Sequence, residues 1–318
     1  MASICLHLRA HQPDVLRPLR LRSGQALQRS GVAAQTYFIP PAVAADGYFD
    51  EGATIIRTAD LVERTYQPAF ALLEDLIEQS RGGIRVGLGL SGLLLDRLGD
   101  RHANIIDALR RLLATNAVEL TNESYYHSPA WLYAEDEFKQ QLNQHAERCQ
   151  VLLGVRPKTV VDSIGGAGLG GRLATVLDPR SNAQTFIHGL ITEQNPRSSH
   201  ACALELESLG ELGPRGFEFL SELVSEARTA KLRFLLPKEI ASSDDRLASP
   251  FRTTEQRDLA LTLFDLDQHV RLDPETLETW RRLQAVDHLR DQPEHFRTIF
   301  DHFVGSVRPH RRTASVFV

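Results

Sequence analysis

Two short stretches bring together residue types that do chemistry. The run Glu123-Ser124-Tyr125-Tyr126-His127 gathers a carboxylate, two aromatic rings and an imidazole within five positions. Carboxylates and imidazoles hydrogen-bond hydroxyl groups and move protons, and aromatic faces stack on sugar rings. The second stretch, His11-Gln12-Pro13, sets an imidazole and a carboxamide at the end of an apolar run. Each has a plainer reading: Tyr125 and Tyr126 as core aromatics with Glu123 capping a loop, and His11 as a satisfied structural histidine. Residue types alone leave both readings open.

The elements that must position these groups are legible from periodicity. Ile4, Leu6 and Leu8 alternate with Ser3, Cys5, His7 and Arg9, the period of a strand, and Pro13 cannot continue a ladder because it lacks an N–H. His11 and Gln12 are thereby expected at a strand's carboxyl end. A second strand over 84–92 precedes a helical pattern over 93–114, in which Ile105, Ile106, Leu109, Leu112 and Leu113 share a face. A third over 118–123 runs into the Glu123–His127 stretch, and an amphipathic helix follows over 135–153. Alternating strands and helices predict an α/β chain with a parallel sheet or barrel.

Residues 17–45 carry little periodicity and read as a long irregular connection to Asp46-Gly47-Tyr48-Phe49-Asp50-Glu51, after which 55–79 forms a helix or helix pair with a kink or break at Pro68. Beyond Ser249-Pro250 the pattern is helical, interrupted at Asp273-Pro274-Glu275 and resumed over 277–289. Trp280, at helical spacing, fits the core better than a sugar platform.

The chain has 318 residues and 42% hydrophobic content, enough for one large barrel or two ordinary domains. Its 41 acidic and 36 basic residues give a net charge of −5, which supplies no bulk attraction for nucleic acid or anionic membrane. Cys5, Cys149 and Cys202 are widely separated and lack the paired spacing of zinc or redox sites. With no signal-peptide pattern and no apolar run near the ~18 residues that span a bilayer, a cytoplasmic location is expected. No paired His spacing supports a metal centre on His11, His127 and Asp162, so no cofactor is expected. Gly165-Gly166-Ala167-Gly168-Leu169-Gly170-Gly171 lacks the Lys-Ser/Thr ending of a phosphate loop and reads as a flexible connection.

Several motifs in order resemble glycoside hydrolase family 57 of the α-amylase type. They are His11-Gln12-Pro13, Tyr48-Phe49-Asp50, Val118-Glu119-Leu120 leading to Glu123–Ser128, Gly210-Glu211 with Phe217-Glu218-Phe219-Leu220, and Leu277-Glu278-Thr279-Trp280-Arg281-Arg282-Leu283-Gln284 continuing to Asp287-His288. The resemblance implies an incomplete (β/α)7 barrel over 1–240, shortened around 165–200, and a helical C-terminal region over 241–318. It implies action on α-1,4-linked glucans by a retaining mechanism without metal. His11, Gln12, Glu123, Tyr125, His127, Trp280, Asp287 and His288 would then contact substrate. In a retaining mechanism one carboxylate attacks the anomeric carbon while another, about 5–5.5 Å away, protonates the leaving oxygen.

At both catalytic places the chain departs from the family. The nucleophile is a glutamate in an Asn-Thr-Glu turn after an Arg-Pro pair; here Arg156-Pro157 is followed by Val160-Val161-Asp162-Ser163-Ile164. Ile164 or Ser163 takes the glutamate's place, and Asp162 is the only local substitute. The donor is an aspartate opening Asp-Tyr-Glu-Thr-Phe-Gly-Glu-His, matched here by Glu205-Leu206-Glu207-Ser208-Leu209-Gly210-Glu211-Leu212. Glu205 keeps an ionisable carboxyl, whereas Leu206 and Leu212 replace a tyrosine and a histidine. Two functions are expected to compete: an impaired α-glucan hydrolase or transferase, and a non-catalytic relative that binds glucan or a partner.

Overall fold

A computed structural model of the chain describes residues 2–18, 47–162, 168–169, 172–173, 175–192, 199–240 and 249–307. Its strands are β1 (Ser3–Ala10), β2 (Val86–Leu90), β3 (Val118–Leu120), β4 (Val161–Asp162), β5 (Gly168–Leu169), β6 (Arg172–Leu173), β7 (Thr175–Val176), β8 (Ser199–Glu205) and β9 (Arg233–Phe234). The main sheet is parallel, in the order β3-β2-β1-β8-β7, with β9 pairing the start of β1. Backbone bonds from Asn122 to Thr159 and from Val161 to Asn122 extend the arc to β4. The strand order that results is β4-β3-β2-β1-β8-β7. The turn after β4 is the short antiparallel ladder β4-β5-β6.

The two faces of β1 explain its alternating sequence. Ile4, Leu6 and Leu8 join the large core beneath the helices, while Cys5 packs on the other face with Val161, Ala201, Ala203, Leu235 and Ile240. Val161 of β4 reaches that cluster only because the sheet curls. Both faces are covered, so the polar members His7 and Arg9 are buried as well. Room for the His7 ring comes from a missing side chain, since a Cβ at Gly87 would lie 2.7 Å from His7 Cδ2.

The helices follow the periodicity, with two differences. Helix Glu51–Leu61, capped by Asp50, passes through a π-helical turn, Val62–Tyr66, into helix Gln67–Ser80. The expected kink at Pro68 takes this form because a widened turn frees a proline of its missing N–H and its clash with the preceding turn. The single helix expected over 93–114 divides at His102 into Gly92–Arg101 and Ala103–Ala114. Helix Glu135–Leu153 occupies its expected bounds and stops at Gly154, whose φ is +72°.

Residues 249–307 form five helices, Thr254–Phe264, Asp267–Val270, Pro274–Leu283, Val286–Asp291 and Phe296–Val307. Their apolar faces make a second core with Leu16, Tyr48, Phe49 and Ala130 from the N-terminal half. Polar ties fasten this layer to the strand ends. Arg282 Nε donates to Asp14 Oδ2 at 2.8 Å and lies over the Phe49 ring at 4.0 Å, and fully buried Glu137 receives Arg271 and Arg281. No described helix is long and apolar enough to cross a membrane.

Candidate active site

The parallel register places Arg9 of β1 directly beside Glu205 at the end of β8, and their side chains form an ion pair. Just beyond β1 the chain turns and presents His11. Its backbone N–H donates to Glu207 Oε1 at 3.0 Å, and its Nδ1 meets Ser91 Oγ at 2.8 Å beyond β2. After β3, His127 adopts φ +53°, a left-handed conformation that turns its ring toward His11. The two imidazoles stack with centroids 4.1 Å apart and planes within 11°. Val286 N–H donates to the His127 carbonyl at 3.0 Å, so the helix Val286–Asp291 docks here. That docking brings Asp287 Oδ2 to 3.3 Å from His11 Nε2 and 4.0 Å from His127 Nε2, while Arg290 Nη2 lies 3.1 Å from Oδ1.

Of the residues expected to contact substrate or act on it, the fold thus unites His11, His127, Glu205 and Asp287. Water reaches both acids: side-chain exposure is 40% for Glu205 and 26% for Asp287. Other expected contacts are turned to structural work. Gln12 is buried, accepting from Thr58 Oγ1 at 2.8 Å. Glu123 is buried against β2, where a Cβ on Gly89 would approach its Oε1 to 3.0 Å. The Tyr125 ring covers Gly92, at which a Cβ would come within 2.3 Å of it, and its hydroxyl donates to Asp96. His288 Nε2 bonds the Asp14 carbonyl at 2.9 Å. Trp280 is corrected from sugar contact to core: it is fully buried, its indole N–H donates to the Leu263 carbonyl at 2.7 Å, and no ring face is open to a ligand. Ser163 and Ile164 lie outside the described residues, as does the Asp162 side chain.

Residues with little local signal complete the site. Arg9 reads in the sequence only as one step of an alternation, and Ser91 and Arg290 stand in no motif. Glu207, two positions after Glu205, is visible in the matching motif. Among the described residues, no group of three or more His, Cys, Asp or Glu side chains is arranged to hold a metal ion.

The electrostatics separate the acids. Burial raises the Glu205 carboxyl above its ordinary range and the charge of Asp287 adds to this, against the opposing Arg9 and His11. Burial, with the charge of Glu205, pushes Glu207 up to about 8, although it accepts from the Tyr66 hydroxyl at 2.7 Å. Asp287 behaves oppositely: burial alone would raise it, but His11, His127 and Arg290 outweigh burial and hold it well below the usual carboxylate range. Burial also lowers His127 well below the ordinary imidazole value, helped by His11 and opposed by Asp287. An acid of raised proton affinity beside one held ionised is the division of labour that acid–base and glycosyl-transfer chemistry uses.

Comparison with known proteins agrees with this architecture. The sequence model of glycosyl hydrolase family 57 matches residues 7–163. No curated protein sequence matches the chain. Among solved structures it is similar to a 4-alpha-glucanotransferase from Thermococcus litoralis, at 12% identity and a TM-score of 0.59, over 97% of this chain and 58% of that one. It is also similar to a GH57-type branching enzyme from Pyrococcus horikoshii, at 12% identity and a TM-score of 0.60, over 94% of this chain and 88% of that one. An alpha-amylase from Thermotoga maritima gives 10% identity and a TM-score of 0.57, over 95% and 91%. The chain therefore spans just over half the length of the glucanotransferase, and likeness at such identities is a likeness of fold. The motif-bearing segment 7–163 thus matches glycosyl hydrolase family 57, and the chain as a whole shares the fold of these solved enzymes.

Proposed function

We propose that the protein engages α-1,4-linked glucans at the strand-end cluster and turns them over, by hydrolysis or transfer, much more slowly than an intact carboxylate pair would. The observation that carries this reading is the position of Glu205. It stands partly open to solvent at the end of β8, its proton affinity raised, beside two imidazoles suited to sugar hydroxyls. Slowness follows from Asp162-Ser163-Ile164, which offers no glutamate where the family places its nucleophile. Removing the attacking group from a catalytic set costs roughly 10⁴-fold or more in rate. Region 1–240 would supply Glu205 and region 241–318 would supply Asp287. Three free, buried cysteines suit a reducing compartment such as the cytoplasm.

One observation favours the alternative of glucan binding without turnover: the Arg9 guanidinium engages Glu205 directly, which opposes protonation of the acid. Calorimetry with maltoheptaose, paired with a reducing-end assay on the same sample, tests the main reading. Binding with slow release of reducing ends is expected. Absence of binding refutes it, as does turnover in the range of roughly 1–10³ s⁻¹ common to enzymes; binding with no release at all selects the alternative.

A further inference from the structure

We propose that Asp287 is the second catalytic carboxylate of this site, the group that attacks the anomeric carbon in place of the missing glutamate. The inference rests on the glucan reading above and extends it. Asp287 arrives from the C-terminal helix Val286–Asp291, whose first N–H is bonded to the His127 carbonyl, so the carboxylate is fixed relative to the strand ends. Three cationic or imidazole groups surround it at 3.1 to 4.0 Å: Arg290, His11 and His127. Its Oδ2 and the facing His11 Nε2 are both buried and pair with each other at 3.3 Å. Nδ1 of the buried His127 has no hydrogen-bond partner among the described protein atoms. A polar atom left open beside a carboxylate whose side chain water still reaches is what a sugar hydroxyl would satisfy. The charge of Asp287 bears on Glu205, and Arg290 feels both charges.

In the step proposed, an Asp287 oxygen bonds to the anomeric carbon while the bond from that carbon to the leaving oxygen breaks. The proton on Glu205 passes to the departing sugar. The resulting glycosyl ester is then opened by water, or by another sugar hydroxyl, whose proton returns to Glu205, and Asp287 leaves as carboxylate. The cations that keep Asp287 ionised also temper its nucleophilicity, which accords with slow turnover.

The test uses α-maltosyl fluoride, whose leaving group departs without a proton donor, so that only the attacking carboxylate is probed. The full-length protein should release fluoride above background, and Asp287→Asn should cut that release at least about 100-fold while circular dichroism shows the variant folded at the assay temperature. Asp162→Asn should leave it within about twofold. Azide added to Asp287→Ala should restore fluoride release and yield β-maltosyl azide. Unchanged release in Asp287→Asn, loss of release in Asp162→Asn, or no azide adduct would overturn the assignment. If the unsubstituted protein binds maltoheptaose yet releases no fluoride, Asp287 loses its role and the glucan reading stands; if it binds no maltoheptaose, both fall.

Discussion

Glu207→Gln should stabilise the protein at alkaline pH and leave it unchanged in acid. Glu207 is lifted from an ordinary value of 4.5 to about 8, by burial first and then by the charge of Glu205. Its Oε1 accepts from the Tyr66 hydroxyl at 2.7 Å and the His11 N–H at 3.0 Å, and a glutamine oxygen can accept both. Because the folded value lies above the unfolded one, the native state binds the proton more tightly throughout this interval. Its contribution is complete below about pH 4.5 and fades as pH rises toward 8. A tenfold gain in proton affinity corresponds to about 1.4 kcal/mol, so the interval sets a ceiling of about 5 kcal/mol; partial access of water reduces the expected difference to roughly 2–3 kcal/mol. Urea unfolding of both proteins at intervals from pH 5 to 9 measures it. The two curves should lie closest at pH 5 and diverge steadily above it, with the glutamine variant ahead. Parallel curves, or a variant less stable at pH 8, would show that Glu207 is ionised in the native protein.

Trp280→Phe should lower stability by about 1–3 kcal/mol through the lost indole hydrogen bond and partial loss of packing, while calorimetry shows unchanged maltoheptaose affinity; a weakened affinity at unchanged stability would return the ring to the substrate. Arg282→Met should cost about 3–5 kcal/mol in urea unfolding at pH 7 by leaving buried Asp14 without one of its two cations. Burial would raise Asp14, but Arg282 and Arg97 outweigh it and depress its carboxyl. Its contribution is therefore present above its unfolded value and disappears as pH falls through the folded one, so the acid-unfolding midpoint followed by circular dichroism should move up in the variant. A loss under about 1 kcal/mol would mean the pair is adequately hydrated.

Local patterns disclose the first three strands, the helix 135–153 and the helical C-terminal region, because in each the spacing of apolar residues is set by one element's own geometry. What faces what across the sheet is beyond that reach. Ser3–Arg9 reads as a strand with a polar side, yet His7 and Arg9 are buried, since the curl of the sheet turns that side inward. β8 gives no such signal: Ala201-Cys202-Ala203-Leu204 is short, buried on both sides and without alternation. The pairing of Arg9 with Glu205 depends on a parallel register 196 residues apart, which no window of sequence contains. His11, His127, Glu205 and Asp287 all stand out as candidates in the sequence, but Gln12, Tyr125, Trp280 and His288 look equivalent to them there. A motif tells which residues travel together; which of them meet solvent is decided by docking.

The docking of helix Val286–Asp291 makes the site a seam. One acid hangs from the sheet and the other from an outer layer joined to it by side-chain and backbone ties, Arg282 to Asp14 and Val286 to His127 among them. Transient lifting of that layer would leave the sheet, the His11–His127 stack and the Arg9–Glu205 pair in place and yet withdraw Asp287 and Arg290 from them. The working lifetime of the site is therefore the lifetime of the seam, and amide exchange at Val286 would report it more faithfully than any melting curve of the whole molecule.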